Sequence, residues 1–499
     1  MCRRCRVVAG PSDQVLTAAQ MRAAEQALID GGTSVEAMMQ RAGRGAAEWV
    51  WRLSCGRSVT VLTGPGNNGG DGWVIAEAIR NRGGDVAVVM AAEPATAAAK
   101  TARVHYQGAV IGADEACGEV LVDCLFGTGL TRPLSDEHLG LLQHLAARHD
   151  KLLAVDLPSG VSSDNGALLN EGLPQSHLTI ALGAWKQAHF IMPSAAQMGA
   201  LKRVNIGIEP LLNDLTMPCV LPRPALGPPA ASANKYSRGM VAVVAGDMPG
   251  AAVLAAKAAA ASGAGYVKIL SDGAAIQTSP DVVVDARPLD QALADPRIRA
   301  VLIGPGLGRD ARAMARLNAV GLTNPKVSLI IDADALHLYP QWEYDSGMMR
   351  HGEAALDDRS IEFWRRQLVL TPHQGELDAL DTALKLPEYH PPYARKVHQA
   401  IKLSWVSDAA IVAKGADTFI FHRDFGACLA PLASSWLSTA GSGDVLAGII
   451  AARLAVGETC FDAACQGVWL HGEAARQCEA PFTAGDLAGA VRSAFANCL

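Results

Sequence analysis

Short apolar runs that predict buried strands alternate with helical stretches along the first half of the chain. Two helical patterns come first, one opening at Thr17 and one over residues 34–53. Five strand-like runs follow at residues 59–63 (VTVLT), 85–90 (DVAVVM), 119–125 (EVLVDCL), 151–157 (KLLAVDL) and 177–182 (HLTIAL). Such alternation predicts an α/β fold, with a mostly parallel sheet covered by helices on both faces. Ligands of these sheets bind beyond the carboxyl ends of the strands.

The alternation stops once and then restarts. Residues 217–233 (MPCVLPRPALGPPAASA) are proline-rich and lack periodicity, so we interpret them as a linker between domains of residues 1–220 and 221–499. The polar segment 339–362 is predicted to be a loop insertion. The second domain has strand-like runs at residues 239–245, 299–303, 328–331, 367–370 and 409–413, and an alanine-rich helix at 251–262.

Composition narrows the class of protein. Half of the 499 residues are hydrophobic and 18% are charged, which excludes a disordered chain. The formal net charge of −6 gives no basic surface for nucleic acid, so a small-molecule ligand is expected. No apolar run reaches the roughly 18 residues of a membrane helix and no secretory signal is evident, so we expect a cytoplasmic protein without a membrane partner. The eleven scattered cysteines favour free thiols over disulfides or metal ligands.

The stretch GPGNNGGDG at residues 64–72 is the strongest local signal. It follows the run 59–63 and precedes a helical pattern over 73–82, so we predict a strand-to-helix turn that holds an anion. We expect its glycines to admit positive φ and to let backbone N–H groups approach a ligand. The spacing GxGxxG is present, but a simple dinucleotide-binding fold would place an acid at the end of the next strand, and Glu93 lies beyond it in a predicted loop.

Two further strand ends in the first domain are polar, DCLFGTGLTRP at residues 123–133 and DLPSG at 156–160. Strand ends of a parallel sheet share one edge, so Asn68, Asp123 and Ser159 are expected to lie close together and to offer oxygen ligands to a hard cation. Lys186 in GAWKQAH adds a basic group after the fifth run. Each acid taken singly is equally compatible with a helix cap or a solvated loop.

The second domain contains STAGSGDVLAG at residues 438–448, followed by a helical pattern. Gly441 and Gly443 before a helix N-terminus predict an anion hole, and Asp444 in the first turn is placed to act as a base. The alternative for Asp444 is a capping acid. No GxxxxGK[ST] occurs, so a nucleotide here would be held without a Walker-type loop. His373, in TPHQGE, is a candidate ligand contact, although a lone histidine is as often structural.

These features favour nucleotide chemistry in two α/β domains. One class that fits is a kinase-like phosphoryl transferase joined to a dinucleotide-binding module, and another is a non-catalytic nucleotide sensor. The sensor is disfavoured because acids and a lysine accompany both predicted anion sites, whereas binding alone would mainly need hydrogen-bond donors.

At the same residues the sequence resembles the bifunctional NAD(P)H-hydrate repair enzymes, from about Thr17 to the C-terminus. GPGNNGGDG, DCLFGTGLTRP and DLPSG match the NAD(P)HX epimerase domain of that family. GPGLG, DADAL, TPHQGE, KG and GSGDVLAGIIAA match the ADP- or ATP-dependent NAD(P)HX dehydratase domain. The resemblance implies two three-layer α/β/α domains, an N-terminal Rossmann-like one and a C-terminal ribokinase-like one.

The resemblance also implies an activity, metabolite repair. Water adds to a ring double bond of NADH or NADPH and gives an inactive hydrate of the cofactor in R and S forms. The epimerase would interconvert these hydrates, NADHX and NADPHX, and the dehydratase would return the S form to NAD(P)H at the expense of ADP or ATP with Mg²⁺. Bacterial members favour ADP, and a homo-oligomer is expected. The alternative is a ribokinase-like small-molecule kinase with an accessory nucleotide-binding domain, and a simple NAD dehydrogenase ranks third.

Site residues follow from the matching motifs. The potassium ligands of the epimerase would be Asn68, Asp123 and Ser159, with Asp123 and Lys186 as proton-transfer groups. The epimerase substrate contacts would be Asn67, Asn68, Gly69, Gly70, Asp71, Gly127, Thr128, Gly129, Leu130, Thr131, Arg132, Pro133 and Asp156. In the dehydratase, Asp444 would be the catalytic base, and the S hydrate would contact Ala251, Gly306, His373 and Asp444. The adenine nucleotide would contact Lys414, Gly415, Ala416, Asp417, Thr418 and Gly443.

Overall fold

The computed structural model describes residues 13–208, 217–323, 326–345, 367–386 and 394–499. The chain divides into two compact units. The N-terminal unit contains residues 9–219, and the C-terminal unit contains residues 220–391 and 395–499.

The N-terminal unit is built on a parallel sheet of seven strands in the order β3-β2-β1-β4-β5-β6-β7. The five predicted strands are confirmed, with bounds that differ by up to two residues. Two strands at the sheet edges were not predicted, because one has only two exposed residues and the other alternates with polar side chains. The strands are β1 Val59–Thr63, β2 Val86–Met90, β3 Ala109–Val110, β4 Gly118–Cys124, β5 His149–Val155, β6 Leu178–Leu182 and β7 Ala200–Val204.

Helices of the N-terminal unit begin where polar caps occur in the sequence. Thr17 and Gln20 form a capping box at the first helix, and Ser34 caps the second by accepting from the Ala37 N–H. Buried Val50, Trp73 and Val61 belong to one core cluster. The helices are α1 Ala18–Asp30, α2 Val35–Ser54, α3 Asn67–Asn81, α4 Ala97–His105 and α5 Asp136–Ala146.

The C-terminal unit contains most of a ten-stranded mixed sheet in the order β11-β10-β9-β12-β13-β14-β15-β16-β17-β8. The strands from β11 to β15 in this order pair in parallel, and β15, β16 and β17 pair antiparallel. All five runs predicted here are confirmed as strands. The strands are β8 Pro218–Val220, β9 Met240–Val244, β10 Tyr266–Leu270, β11 Val283–Asp285, β12 Ile298–Ile303, β13 Ser328–Ile331, β14 Leu368–Leu370, β15 Ala410–Ala413, β16 Phe419–His422 and β17 Gly426–Leu429.

The described helices of the C-terminal unit include the two that the sequence predicted, at the alanine-rich stretch and after GSGD. The first has an alanine-rich face that is fully buried, which permits close packing against neighbouring elements. The helices are α6 Pro249–Ala261, α7 Leu289–Leu293, α8 Ala311–Gly321, α9 Asp334–Asp345, α10 Gln374–Ala383, α11 Arg395–Ser407, α12 Ser442–Ala455, α13 Cys460–Gln477 and α14 Ala484–Ala496.

The predicted linker over residues 217–233 is in part structured, which corrects the sequence interpretation. It contains β8, and the Leu221 N–H donates to the Leu429 carbonyl at 2.8 Å. Leu226 is buried in a core cluster, and its N–H donates to the Cys498 carbonyl at 2.8 Å. Prolines removed helical and strand periodicity here, but they did not prevent the segment from packing.

The predicted loop over residues 339–362 is also wrong at its start. α9 extends to Asp345, and Tyr339 and Trp342 are buried in the unit. Residues 346–366 lie outside the described residues. Among the helices that the structure describes, none combines the length and apolar character needed to cross a bilayer. The nine cysteines within the described ranges form no disulfide with one another, and Cys2 and Cys5 lie outside those ranges.

Candidate active sites

A cavity of about 530 Å³ lies in the N-terminal unit, at the carboxyl ends of β1, β4, β5 and β6. This volume is typical of a small-molecule site. Its apolar lining comes mainly from α1 and α2, and its polar lining comes from α1, the start of α3 and the loops after the strands. The apolar side includes Met21, Val35, Met38, Met39 and Ala42, and the polar side includes Arg22, Glu25, Gly66, Asn67, Asn68, Asp71, Thr96, Gly127, Thr128, Gly129, Thr131, Arg132, Asp156 and Lys186, with Leu130 beside them.

GPGNNGGDG combines a turn with the first turns of a helix. α3 begins at Asn67 rather than at Trp73, and Gly66, its N-cap residue, provides no side chain to cap the free N–H groups. The expected positive φ is wrong for this stretch, since none of its glycines adopts it. The glycines are needed for close packing instead: a Cβ on Gly64 would collide with the Leu125 carbonyl oxygen, and one on Gly69 with the Gly64 carbonyl oxygen.

Asn68 lies at the start of α3 with both amide atoms buried. Neither its oxygen nor its nitrogen has a hydrogen-bond partner within the described part of the chain. A Cβ on Gly127 would lie 3.3 Å from the Asn68 Cγ, so the loop that follows β4 passes directly beside this amide. We call this segment the β4 loop. A buried amide without protein partners is costly unless a ligand or an ion satisfies it. Asn68 therefore fits the sequence prediction of a ligand or cation contact.

Asp123 and Ser159 are joined by hydrogen bonds, as expected from their strand ends. Asp123 Oδ1 accepts from Ser159 Oγ at 2.7 Å and from the Leu125 N–H at 3.0 Å, and Oδ2 accepts from the Ser159 N–H at 2.9 Å. Burial raises the pKa of Asp123, and these donors partly offset that rise. Neither residue is among those that line the cavity. The proton-transfer role of Asp123 stays a prediction: it accepts three hydrogen bonds from the protein and is not among the lining residues, an arrangement that favours a cation-binding or structural role.

Asp156 and Lys186 form a buried ion pair that lines the cavity. The Lys186 side chain is 0% exposed, and its Nζ donates to Asp156 Oδ1 and to the Leu182 carbonyl at 2.9 Å. Asp156 Oδ2 accepts from both the N–H and the Oγ1 hydroxyl of Thr128. Burial alone would raise the pKa of Asp156, but Lys186 and these donors outweigh it and lower the pKa. Asp156 therefore stays ionised beside Lys186 and holds the β4 loop through Thr128.

His189 supports this pair and was not singled out in the sequence. Asp156 has φ of +68°, a left-handed conformation that is strained for a residue other than glycine. His189 lies 2.9 Å by Nε2 from the Asp156 carbonyl oxygen and accepts at Nδ1 from the Lys186 N–H at 2.9 Å. Burial, followed by the charge of Lys186, lowers the pKa of His189 to about 4. A neutral histidine therefore links the backbones of both members of the ion pair.

Asp71 and Glu25 line the same cavity without protein partners. Within the described residues, neither carboxyl makes a side-chain hydrogen bond or an ion pair. Asp71 is buried, and burial followed by the charges of Asp156 and Glu25 raises its pKa well above the usual range. Burial also raises the pKa of half-buried Glu25. Glu25 was missed because it lies on an amphipathic helix rather than at a strand end.

Most of the remaining predicted epimerase contacts line the cavity. Three of them do not: Gly69, Gly70 and Pro133. Gly70 instead packs against Met39 and Ala99, which leaves no space for a side chain.

In the C-terminal unit, α12 begins directly after Gly441, whose φ is +90° and which provides no side-chain cap. No side chain caps the first turn, so the N–H groups of Gly443 and Asp444 are placed as the predicted anion hole requires, and the anion hole itself stays a prediction. Asp444 lies in this turn, and burial followed by the charge of Asp332 raises its pKa to about 6. A carboxylate with this pKa is well suited to act as a base near neutral pH.

Lys414 reaches the start of the same helix. Its Nζ donates to Asp332 Oδ1 at 2.6 Å, and a Cβ on Gly443 would lie 3.5 Å from that Nζ. Thr371 Oγ1 also donates to Asp332, at 2.6 Å. Lys414 and Gly443 are thus brought together as predicted contacts of one ligand. Asp332 was not named as a site residue, although the motif DADAL that contains it was recognised.

The remaining predicted dehydratase contacts lie in three places: around Met248, at the start of α10, and in the turn of residues 414–418. Ala251 and Gly306 flank Met248, whose N–H donates to the Gly306 carbonyl at 3.0 Å and whose carbonyl accepts from the Ala251 N–H at 3.2 Å. His373 caps α10, since its Nδ1 accepts from the Glu376 N–H at 3.1 Å, and its backbone bridges to Lys414. His373 therefore has the structural role that the sequence left open, as a helix cap. Its ring is still exposed enough to contact a ligand.

The turn of residues 414–418 is held by a lysine that the sequence did not reveal. Lys396 of α11 pairs with Asp417, and a Cβ on Gly415 would meet the Lys396 Nζ at 2.5 Å. Thr418 Oγ1 donates to the Gly415 carbonyl at 2.9 Å, which closes the turn around Ala416. Asp417 is thus engaged with protein groups. Across the described residues, no group of three or more histidine, cysteine or acidic side chains could hold a metal ion by itself.

Comparison with known proteins agrees with the two units. A family model described as NAD(P)H-hydrate dehydratase matches residues 241–495, and one described as YjeF-related protein N-terminus matches residues 35–188. The bifunctional NAD(P)H-hydrate repair enzyme Nnr of Gloeobacter violaceus is 33% identical over 494 residues, covering 92% of this chain and 92% of that protein. The Nnr of Moorella thermoacetica is 31% identical over 522 residues, covering 93% and 94%.

A solved structure of an ADP/ATP-dependent NAD(P)H-hydrate dehydratase from Bacillus subtilis is similar to 55% of this chain and 95% of its own, at 24% identity and a TM-score of 0.41. The full-length relatives confirm the family that the motifs indicated. They do not favour the small-molecule kinase that was kept as the alternative. The chain therefore belongs to the bifunctional NAD(P)H-hydrate repair enzymes, which join an NAD(P)H-hydrate epimerase to an NAD(P)H-hydrate dehydratase.

Proposed function

We propose that the cavity of the N-terminal unit is the epimerase site and that the start of α12 is the dehydratase site. The observation that carries the first assignment is the pair of unpaired carboxyls, Asp71 and Glu25, beside the ionised pair of Asp156 and Lys186 in one cavity. The second rests on Asp444 in an uncapped helix start that Lys414 reaches.

The chemistry of the hydrate defines what the epimerase site must supply. In a reduced nicotinamide the ring nitrogen donates electrons into the adjacent double bond, so water adds its hydroxyl to the carbon next to nitrogen. Inversion at that carbon follows if the hydroxyl proton leaves, the carbon–nitrogen bond breaks to give an aldehyde, and the ring nitrogen takes up a proton. Rotation and reclosure then give the other epimer. One acid and one base are needed together.

Asp71 is the proposed acid of this step. It is kept protonated by burial and by the neighbouring negative charges, so it can deliver a proton to the ring nitrogen. Asp156 and Lys186 orient the site, since Asp156 holds Thr128 of the β4 loop and Lys186 keeps that carboxylate ionised. The methionines of α1 and α2 supply an apolar wall for the ring.

Potassium fits the residues beside this cavity. Asn68 offers a buried carbonyl oxygen without a protein partner, and the oxygens of Asp123 and Ser159 lie at the neighbouring strand ends. These are oxygen ligands of the kind that hard cations prefer. The ion would supply positive charge that fixes the loops after β1, β4 and β5 around the substrate. A single acid in the set accords with a monovalent cation.

In the proposed dehydratase reaction, Asp444 removes the hydroxyl proton of the S hydrate as the oxygen attacks the terminal phosphorus of the nucleotide. The new oxygen–phosphorus bond forms as the bond to the leaving nucleotide breaks. Phosphate then departs with the carbon–oxygen electron pair, the adjacent carbon loses a proton to the departing phosphate, and the ring double bond is restored. The N–H groups of α12 and the Lys414 ammonium stabilise the phosphoryl charge. Mg²⁺ would enter on the nucleotide phosphates, because the described residues provide no metal cage.

The test follows the absorbance of the reduced nicotinamide after the protein is mixed with R and S hydrates, K⁺, Mg²⁺ and either ADP or ATP. Recovery of reduced cofactor from both epimers supports both assignments and identifies the nucleotide. Recovery from the S form alone would contradict the epimerase assignment. A parallel run with hydrates of NADH and of NADPH establishes the preference between them, and the mass of the protein in solution tests the expected homo-oligomer.

A further inference from the structure

We propose that Glu25 of α1 is the catalytic base of the epimerase, acting as the partner of the acid Asp71. This inference rests on the proposed epimerase function of the N-terminal unit. It concerns a residue outside all the strand-end motifs, on α1, which contributes to the lining of the cavity.

The first support is the difference among the four acids near the cavity in the hydrogen bonds that they accept from the protein. Asp123 accepts from three protein donors, and Asp156 accepts from Lys186 and Thr128. Glu25 and Asp71 accept no hydrogen bond within the described ranges, although both line the cavity. A carboxylate that already accepts several protein hydrogen bonds is a weaker proton acceptor, whereas one without such partners is free to bind a ligand proton.

The second support is electrostatic. Several charged groups share the cavity with Glu25: Arg22 on α1, Asp71 on α3, Arg132 after β4, Asp156 after β5 and Lys186 after β6. Burial raises the pKa of Glu25, and the charges of Lys186 and Arg22 counteract that rise. Burial also raises the pKa of Asp71, and the negative charges of Asp156 and Glu25 raise it further. The cations beside Glu25 therefore favour its ionised form, and the anions beside Asp71 favour its protonated form.

The proton balance of the reaction matches this arrangement. Ionised Glu25 takes the hydroxyl proton of the hydrate as the carbon–nitrogen bond breaks, and protonated Asp71 gives a proton to the ring nitrogen. The ring-opened aldehyde then contains no net extra proton, and the pair has exchanged its protonation states. Reclosure returns each proton to its original carboxyl. The cycle needs no oxidant, reductant or second substrate.

The experiment starts from purified R hydrate without nucleotide, so that the dehydratase is silent, and follows the R to S ratio by chromatography. In Glu25→Gln we expect kcat/KM to fall about 100-fold or more, the usual contribution of a general base. In the wild type, kcat/KM should decline on the acid side, where Glu25 is protonated, and on the alkaline side, where Asp71 is ionised. Glu25→Gln should lose the acid-side decline, and Asp71→Asn the alkaline one.

Matched variants keep the outcome decisive. Glu36→Gln changes an exposed acid on α2 and should leave the rate unchanged. Glu25→Ala should recover activity when formate is added, which a purely structural role would not allow. If Glu25→Gln proves unstable, Glu25→Asp replaces it and should retain the acid-side decline in kcat/KM. Wild-type rates in Glu25→Gln, with Asp71→Asn inactive, would overturn the role of Glu25 alone. A wild-type protein that fails to interconvert the hydrates would instead overturn the proposed function.

Discussion

The Nζ of Lys414 lies 2.6 Å from Oδ1 of Asp332, beneath the start of the helix that contains Asp444. Burial alone would lower the pKa of Lys414, but Asp332, with smaller contributions from Glu376 and Asp444, outweighs burial and raises it. The lysine therefore remains a cation at the place where a phosphate would bind. The two residues are 82 positions apart in the chain.

Asp332→Asn should weaken nucleotide binding and slow dehydration. The variant leaves Lys414 buried without its counter-ion, and removal of one partner from a buried pair costs about 3–5 kcal/mol. We expect a raised KM for the nucleotide and a lower melting temperature. Thr371→Val, which removes only one neutral donor to the same carboxylate, is the control and should have a smaller effect on both. An unchanged KM in Asp332→Asn would argue against a phosphate role for Lys414.

Asp444→Asn should abolish dehydration while epimerisation continues. The folded-state pKa of Asp444 is about 6, and the base must be ionised, so wild-type dehydratase activity should fall as the pH drops through about 6. The measurement is the pH profile of kcat/KM with the S hydrate. Loss of both activities in this variant would contradict separate sites.

Lys186→Met should destabilise the N-terminal unit and remove epimerase activity. It leaves the buried Asp156 carboxylate uncompensated, at a cost of about 3–5 kcal/mol. The folded pKa of Asp156 is lowered, so its stabilising contribution is present above the unfolded pKa and is lost as the pH falls through the folded one. Thermal unfolding at neutral pH measures the loss. Lys202→Met, at a more exposed lysine on β7, should leave the melting temperature nearly unchanged.

Gly69→Ala and Gly66→Ala form a matched pair within one motif. A Cβ on Gly69 would collide with the Gly64 carbonyl oxygen, whereas one on Gly66 meets nothing within 4 Å. We therefore expect Gly69→Ala to destabilise the N-terminal unit and to remove epimerisation, with the dehydratase retained. Gly66→Ala should fold normally. Equal behaviour of the two variants would show that close packing is not what requires glycine here.

Replacement of K⁺ by Na⁺ should slow epimerisation and leave dehydration unchanged. Ser159→Ala removes a proposed ligand and a donor to Asp123, and it should reduce the response to added K⁺. The measurement is the epimerisation rate as a function of K⁺ concentration at constant ionic strength. A rate independent of the cation in the wild type would refute the potassium site.

Sequence patterns predicted much of this fold because they report local burial. The strands β1 and β13 are buried along their whole length and β4 is buried over its last five residues, and the sequence of each is mostly apolar, as expected for strands covered on both faces. Thr17 and Ser34 marked helix starts through their capping hydroxyls. Edge strands such as β7 were not predicted, because one face of such a strand is exposed to solvent and its residue pattern resembles that of a loop.

The sequence by itself determined the family, the two α/β domains and the motifs at the strand ends, since these depend on residues that are adjacent in the chain. Only the tertiary structure decided which acids are free to react. Asp123 and Asp71 both occur in recognised motifs, yet Asp123 accepts hydrogen bonds from Leu125 and Ser159, whereas Asp71 accepts none within the described residues and lines a cavity. Glu25 lines the same cavity only because α1 packs beside it in the folded protein. The pKa of a carboxyl depends on burial and on charges distant in sequence, and the folded chain alone brings those together.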